Sequence, residues 1–309
     1  MKIVFMGTPE FAVPCLRTLA ESEHELAAVF TQPDKPKGRG YKMIPTPVKA
    51  AAQEYDIPVY QPLSLRKGDD AENAMKILND IAPQLIVVTA YGQILPKEIL
   101  ELPEYGCINI HASLLPKYRG AAPINWCILN GEKVTGVTSM KMEEGLDTGD
   151  MLIRHETEIG ENETYQELYE RLSVMGGEVL AETLNALEAG TLAPKKQDDS
   201  ESCYSPMIRK EMSALDFGRS AAEIHNTIRG VTGFTMLSGK RLKVFRSEIL
   251  DIIASDAANG EIVCPDCFAV KCGDGRAVKF LEVQLEGSKR MKTEDFLRGR
   301  KLEKGFLLV

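Results

Sequence analysis

Asn109, His111 and Asp147 are the residues of this chain whose types suit chemistry at a carbonyl. A carboxamide is a neutral hydrogen-bond donor, an imidazole titrates near neutral pH, and a carboxylate can orient that imidazole for acid and base work. All three lie in GCINIHASLLPKYRGAAPINWCILNGEKVTGVTSMKMEEGLDTGD, with Asp147 lying 36 positions after His111, so only neighbouring strand ends could bring them together. The other histidines read differently. His24, between a helix and a strand, and His155, flanked by Arg154 and Glu156, read as surface residues, and His225, in a later helix, as packed or capping. Asp147 is followed by Thr and Gly, and it closes a turn by bonding its own backbone as readily as it serves a histidine.

The elements that must position this trio follow from hydrophobic periodicity. Ile3 to Met6 reads as a strand that stops at Gly7, with Thr8 as cap and Pro9 as first residue of a helix carrying Phe11, Cys15 and Leu19. Gly7 and Thr8 line either a ligand cleft or a plain tight turn, and the dinucleotide fingerprint G-x-G-x-x-G is absent. Leu26 to Thr31 reads as a strand, 47–55 as a helix, Ile57 to Tyr60 as extended, and Asp69 to Asp80 as a helix with Ala71, Met75 and Leu78 on one side. The unbroken apolar run Leu85 to Thr89 has the pattern of a central parallel strand, and Cys107 to Ile110 and Val134 to Met140 continue the series. This alternation predicts an α/β fold with a mostly parallel, Rossmann-like sheet and ligands at the carboxyl ends of its strands, where Asn109 and His111 fall. Residues 162–189 form the longest periodic segment, in which Gly176 and Gly177 mark a bend or a close approach.

Past Gly190 the chain turns polar. The stretch 190–208, with Pro194 and Pro206, reads as an interdomain linker between a domain at 1–189 and a second at 209–309. In the second, Ser220 and Glu223 form a capping box for a helix ending at Gly230. Runs at 234–237, 242–249, 261–263, 269–272 and 277–285 then predict a small antiparallel OB-like β-barrel of five strands.

Composition narrows the function. The chain has 309 residues, 44% of them hydrophobic and 27% charged, and no run of eighteen apolar residues, which predicts a soluble protein without a membrane span. The opening MKIVFMGTPEF is too short in apolar residues for a secretory signal, so the expected compartment is the cytoplasm. Seven scattered cysteines suit a reducing compartment with thiols used as small hydrophobes. Cys264, Cys267 and Cys272 include a C-x-x-C pair but lack a fourth soft ligand, so no metal is expected. A net charge of -8 argues against indiscriminate nucleic-acid binding. That charge is uneven: from Arg209 onward there are 18 Lys and Arg against 14 Asp and Glu, and before it 19 against 31. Lys35, Lys37, Arg39, Lys42 and Lys49 sit in a segment too rich in Pro and Gly for regular structure, either gripping phosphates or simply solvated. The same pair of readings applies to the barrel residues Lys240, Arg241, Lys243, Arg246, Lys289, Arg290 and Lys292.

Taken together, MKIVFMGTPEFAV, GRGYKMIPTPVK, VVTAYGQILP, INIHASLLPKYRGAAPINW, MEEGLDTGDM, ETYQELYERL and LEGSKRM resemble the 10-formyltetrahydrofolate-dependent formyltransferases. Within them the chain is similar to the methionyl-tRNA formyltransferase family over nearly its whole length. The resemblance implies formyl transfer from the co-substrate 10-formyltetrahydrofolate to the α-amino group of methionine esterified to initiator tRNA. It assigns catalysis to Asn109, His111 and Asp147, and it alone moves Asp147 from turn residue to catalyst. It implies a folate cleft along Val88, Ala90, Tyr91 and Gly92 and along Ser113, Leu114, Leu115 and Pro116. Lys35, Lys37, Arg39 and Lys42 would enter the tRNA acceptor stem, and Arg241, Lys289 and Arg290 would hold its outer part. No metal and no membrane partner is implied, and a monomer is expected. The chain departs from the family in three places: GRGYK stands for GRGKK, Phe217 follows Asp216 where relatives have Trp, and VTGFTML replaces a Pro-Trp-Pro segment. Two alternatives stand beside this reading: transfer to a sugar-nucleotide or glycinamide ribonucleotide amine, and an RNA-binding protein with a retired formyltransferase core. The basic loop and barrel favour tRNA over the first, and the intact trio opposes the second.

Overall fold

The computed structural model describes residues 1–37, 42–251 and 256–309. In chain order its elements are β1 (Lys2–Gly7), α1 (Val13–Ala20), β2 (Glu25–Phe30), β3 (Lys35–Lys37), β4 (Lys42–Ile44), α2 (Pro47–Glu54), β5 (Val59–Tyr60), α3 (Gly68–Ile81), β6 (Leu85–Thr89), α4 (Lys97–Leu100), β7 (Cys107–His111), β8 (Arg119–Gly120), α5 (Pro123–Leu129), β9 (Val134–Lys141), β10 (Met151–Glu158) and α6 (Tyr165–Glu188). There follow β11 (Tyr204–Ser205), α7 (Ala221–Val231), β12 (Gly233–Leu237), β13 (Lys240–Leu250), β14 (Ile262–Cys264), β15 (Ala269–Lys271), β16 (Ala277–Leu285), β17 (Met291–Lys292) and α8 (Thr293–Arg298). They group into two units. One comprises Met1–Gly120, Thr135–Thr157 and Tyr169–Tyr204, the other Ala121–Val134, Glu158–Leu168 and Ser205–Val309.

The first unit is built on a seven-stranded sheet in the order β10-β9-β7-β6-β1-β2-β5. β1 runs parallel to β2 and β6, β2 to β5, and β6 to β7, whereas β9 is antiparallel to β7. Every residue of β6 is buried, as its apolar run predicts for a strand covered on both faces. On one face Val4, Met6, Ile86 and Val88 pack with Ala74 and Leu78 of α3, the helix presenting Ala74 in place of the expected Ala71. Close approach explains the paired glycines of α6. A Cβ at Gly176 would stand 3.3 Å from Ile110 of β7, and one at Gly177 would stand 2.9 Å from the Thr18 hydroxyl of α1.

Several local expectations change. Thr8 does not cap a helix; its hydroxyl donates to the Tyr91 carbonyl at 2.8 Å and accepts from the Gln32 amide at 3.3 Å, tying the ends of β1, β2 and β6. The segment expected to lack regular structure contains a hairpin, in which Lys35 pairs with Ile44 and Lys37 with Lys42. Alternating cross-strand bonds tolerate Pro36 because it lies on an isolated two-stranded ribbon. His24 is not at the surface: its side chain is 8% exposed and sits 3.5 Å from Glu188. Residues 190–204, expected as a linker, bond to the first unit. Lys195 and Met151 exchange backbone hydrogen bonds of 2.8 and 2.9 Å.

In the second unit Ser220 and Glu223 close the capping box at the start of α7. The antiparallel sheet has six strands where five are expected, in the order β12-β13-β16-β15-β14 with β17 on β16. β17 and α8 escape periodicity because each is only two to six residues long. Register shifts between Val244 and Ser247 bend β13 against β16. Phe268 packs on Phe280 and Phe296 with ring centroids 5.0 and 6.0 Å apart. Phe217, the departure from the family's Trp, is buried in this core, and Phe234 lies beneath the Arg241 guanidinium at 3.9 Å. Cys264 and Cys267 pair as a disulfide, an exception to the expectation of thiols serving mainly as small hydrophobes, while Cys15, Cys107, Cys127 and Cys272 are buried thiols outside any disulfide. Among the described residues no helix is long and apolar enough to cross a membrane, and no cluster of His, Cys, Asp and Glu could hold a metal.

Candidate active site

β7 carries the first two members of the trio at alternate positions, so Asn109 and His111 point to one face. The strand lies between parallel β6 and antiparallel β9, with Val88 beside Asn109 and Thr138 beside His111. The direction of the sheet changes here. A loop from β9 to β10 therefore rises beside the end of β7, and that loop holds Asp147.

The segment after β7 folds back through internal bonds. The Ser113 hydroxyl donates to the Lys117 carbonyl at 2.7 Å, and the Thr138 hydroxyl donates to the Ser113 carbonyl at 2.7 Å while accepting from the Leu115 amide at 3.3 Å. Tyr118 then adopts a left-handed φ of 61° and turns its carbonyl onto His111 Nε2 at 2.9 Å. Two residues on, the Gly120 amide donates to Asp147 Oδ2 at 2.8 Å. One short loop thus fixes both the imidazole and the carboxylate.

The resulting geometry assigns a tautomer. A carbonyl only accepts, so Nε2 of His111 carries a proton and Nδ1 is the nitrogen left for chemistry. Nδ1 stands 3.7 Å from Asp147 Oδ2, beyond hydrogen-bond length, and the two side chains are only 7% and 15% exposed, so an imidazolium formed here would sit beside a carboxylate largely shielded from water. The Asn109 amide donates to Asp147 Oδ1 at 3.5 Å. Asp147 itself has φ 51°, an uncommon value for a residue with a Cβ. It does not bond its own turn. Its carboxylate faces Gly120, Asn109 and His111, while its carbonyl accepts from Gln197 Nε2 at 2.8 Å.

The sites expected for folate divide by exposure. Val88, Tyr91, Ser113, Leu115 and Pro116 are buried, Leu114 is half-buried, and Ala90 and Gly92 are exposed with positive φ of 46° and 85°. Tyr91 buries its ring in the apolar core, and burial pushes its hydroxyl's ionisation well above the usual range. At 90–92 the segment thus exposes the backbone of Ala90 and Gly92, while the Tyr91 carbonyl already accepts from the Thr8 hydroxyl and the Gln32 side chain. The ion pair Lys97–Glu144, at 3.7 Å, joins it to the β9–β10 loop, and each side contributes an exposed apolar residue, Ile94 and Leu146.

The expected tRNA contacts are scattered. Lys35 is exposed on β3, the backbones of Lys37 and Lys42 pair in register across the hairpin, and Arg39 lies outside the described residues. Lys49 is committed elsewhere: its ammonium donates to Asp34 and Gln61, both at 2.7 Å, and its bond to Asp34, together with one donated by the Gln61 amide, holds the Asp34 carboxyl below its usual range. In the second unit Arg241 and Lys289 are exposed, while Arg290 lies over the Phe245 ring at 4.1 Å and bonds Glu282. Tyr118, Gly120 and Gln197 are site residues that sequence reasoning missed. The first two act through backbone atoms, and Gln197 lies 50 positions from its partner.

The formyl transferase family model matches residues 1–184, and the formyl transferase C-terminal domain model matches residues 207–301. The chain is 52% identical over 314 aligned residues to a methionyl-tRNA formyltransferase of Citrifermentans bemidjiense, spanning 100% of this chain and 96% of the relative. It is 50% identical to the methionyl-tRNA formyltransferase of Geobacter sulfurreducens over 99% of this chain and 96% of the relative. Among solved structures, the sugar 3N-formyl transferase WlaRD matches with a TM-score of 0.69 at 21% identity, covering 94% of this chain and 99% of that one. An N-formyltransferase from Helicobacter canadensis matches with a TM-score of 0.67 at 20% identity, covering 91% and 98%. These structural likenesses establish the two-domain fold, and fold and family models together define a formyl transferase. More narrowly, by its full-length relatives, the chain belongs to the methionyl-tRNA formyltransferase family.

Proposed function

We propose that this chain transfers the formyl group of 10-formyltetrahydrofolate to the amino group of methionine carried on initiator tRNA, giving N-formylmethionyl-tRNA for the start of translation. The observation that carries the reading is the convergence of Asn109, His111 and Asp147 at one strand end. In this mechanism the amine nitrogen attacks the formyl carbon, a C–N bond forms, and the carbonyl oxygen becomes an oxyanion. The Asn109 amide donates to that oxyanion, an interaction worth about 3 kcal/mol when the donor is preorganised. His111 Nδ1 takes the proton lost by the amine and delivers it to folate N10 as the C–N10 bond breaks, so tetrahydrofolate leaves neutral at that nitrogen. Asp147 stabilises the imidazolium formed in between. Its own charge is held by the Gly120 amide.

The folate would lie against the backbone at 90–92, with Ile94 and Leu146 offering apolar cover to its ring system. The exposed hairpin cation Lys35 and the register pair Lys37 and Lys42 would meet phosphates of the acceptor stem, with Arg241 and Lys289 serving the same purpose in the second domain. The N-terminal domain is then the catalytic one and the C-terminal domain the RNA-holding one, in a monomeric cytoplasmic enzyme. The test is to incubate the protein with 10-formyltetrahydrofolate and methionyl-initiator tRNA, with aminated sugar nucleotides and glycinamide ribonucleotide as competing acceptors. Formylmethionyl-tRNA is the expected product; formylation of another amine alone, or of none, rejects the reading.

A further inference from the structure

We infer that Gln197 is a positioning residue of the formyl-transfer site, holding Asp147 beneath the Asn109 and His111 pair; the inference rests on the function proposed above. Its carboxamide nitrogen donates twice, to the Asp147 carbonyl at 2.8 Å and to the Gly149 carbonyl at 2.7 Å. Both hydrogens of one NH2 group are therefore spent on the backbone of a single turn. Its oxygen accepts from Arg119 Nε at 3.0 Å, which fixes which end of the amide is which. Arg119 is locked in turn by the Asp199 carboxylate at 2.8 Å, and its side chain is 12% exposed.

The clamp acts where the Asp147 turn has least freedom. Asp147 sits at φ 51°, and Gly149 has no room for a side chain because the Lys141 carbonyl occupies the place of a Cβ. Two carbonyls pointing the same way in such a turn repel each other unless a donor bridges them. The Gln197 amide is that donor. Arg119 also precedes Gly120, whose amide holds the Asp147 carboxylate, so Gln197 grips the turn from the carbonyl side and its partner segment grips it from the carboxylate side. Displacement of Asp147 by about an ångström would misdirect its carboxylate from His111 Nδ1, and misplacements of that size cost up to about 10²-fold in rate.

Gln197→Leu removes every polar interaction of the side chain, and Gln197→Glu removes the two donors while keeping an acceptor for Arg119. Both variants are expected to lower kcat by 10- to 100-fold with KM for tRNA and for folate within twofold of wild type, and to keep the thermal midpoint within a few degrees. On an Asp147→Asn background Gln197→Leu should cost no more than twofold further, because its effect passes through the missing carboxylate. Independently of turnover, the ¹⁵N shifts of the His111 ring, assigned with His111→Gln, should move in both variants. A wild-type kcat in Gln197→Glu, a full further loss on the Asp147→Asn background, or unmoved His111 shifts would each overturn the inference. If the wild-type protein forms no formylmethionyl-tRNA, the proposed function fails while the ring shifts still decide the positioning role.

Discussion

At the scale of single residues the site depends on which atom faces which. His111 gives Nε2 to a carbonyl and so keeps Nδ1 for the reaction, while the Asn109 carboxamide donates only weakly to Asp147, at 3.5 Å. Asn109→Ala should therefore lower kcat by about 10²- to 10³-fold while leaving tRNA binding and the thermal midpoint close to wild type. Steady-state formylation kinetics together with filter binding check this, and a rise in KM without loss of kcat would remove Asn109 from the oxyanion role. Asn109 and His111 were legible in the sequence because a strand's alternation places both on one face at a carboxyl end. Asp147 was not. Its partners are a backbone amide at Gly120 and a side chain at Gln197, and neither leaves a pattern around Asp147 itself. A left-handed backbone at a residue with a Cβ, costing on the order of 1–3 kcal/mol, appears only once the turn is built.

At the scale of elements the long periodic segments were readable and the short ones were not. β6 and α6 follow from runs of apolar residues at their proper spacing, and the α7 capping box from Ser220 and Glu223. The β3–β4 hairpin carries no such signal, since three-residue strands bury almost nothing and are held by cross-strand bonds alone. Its cations also proved unequal. Neutralising Lys35, Lys37 and Lys42 together should reduce the slope of log affinity against log salt for tRNA by up to about one for each phosphate left without its cation. Lys49→Met should leave that slope unchanged and instead lower the thermal midpoint, because it strands Asp34 and Gln61 without their shared donor. Identical salt slopes for the triple variant and the wild type would assign the hairpin to solvent.

At the scale of the whole molecule the shifted groups point to a stability maximum bounded on both sides. In acid the relevant groups have depressed values. Burial lowers the His225 imidazole from its usual 6.5, with Nε2 donating to the Glu161 carbonyl and Nδ1 accepting from the Ser247 hydroxyl. For Glu167 burial works against the carboxylate, but the Arg246 guanidinium and the Thr164 amide and hydroxyl outweigh it and bring the carboxyl down to about 2. A depressed group binds more protons unfolded than folded, so its contribution is present above the unfolded value and lost as pH falls. His225 thus weakens the fold below about pH 6.5 and Glu167 below about 4.5. In alkali the sign reverses. Burial raises the Cys15, Cys107 and Cys272 thiols from 9.0 to about 12, so the unfolded chain ionises first and stability falls as pH rises past 9. Each such thiol steepens the alkaline limb by up to about 1.4 kcal/mol per pH unit. The urea midpoint should therefore be flat between roughly pH 6.5 and 9 and fall on either side. The chain's single tryptophan, Trp126, lies in the second unit and donates to the Pro206 carbonyl at 2.8 Å, so its fluorescence reports the unit that holds His225 and Glu167. By that probe His225→Gln should flatten the decline between about pH 6.5 and 5, and Glu167→Gln the decline below 4.5. If both variants kept the wild-type acid limb, other lowered carboxylates, such as Asp34 in the first unit and Glu223 and Glu282 in the second, would have to govern it, and Trp126 would report acid unfolding later than circular dichroism where Asp34 does.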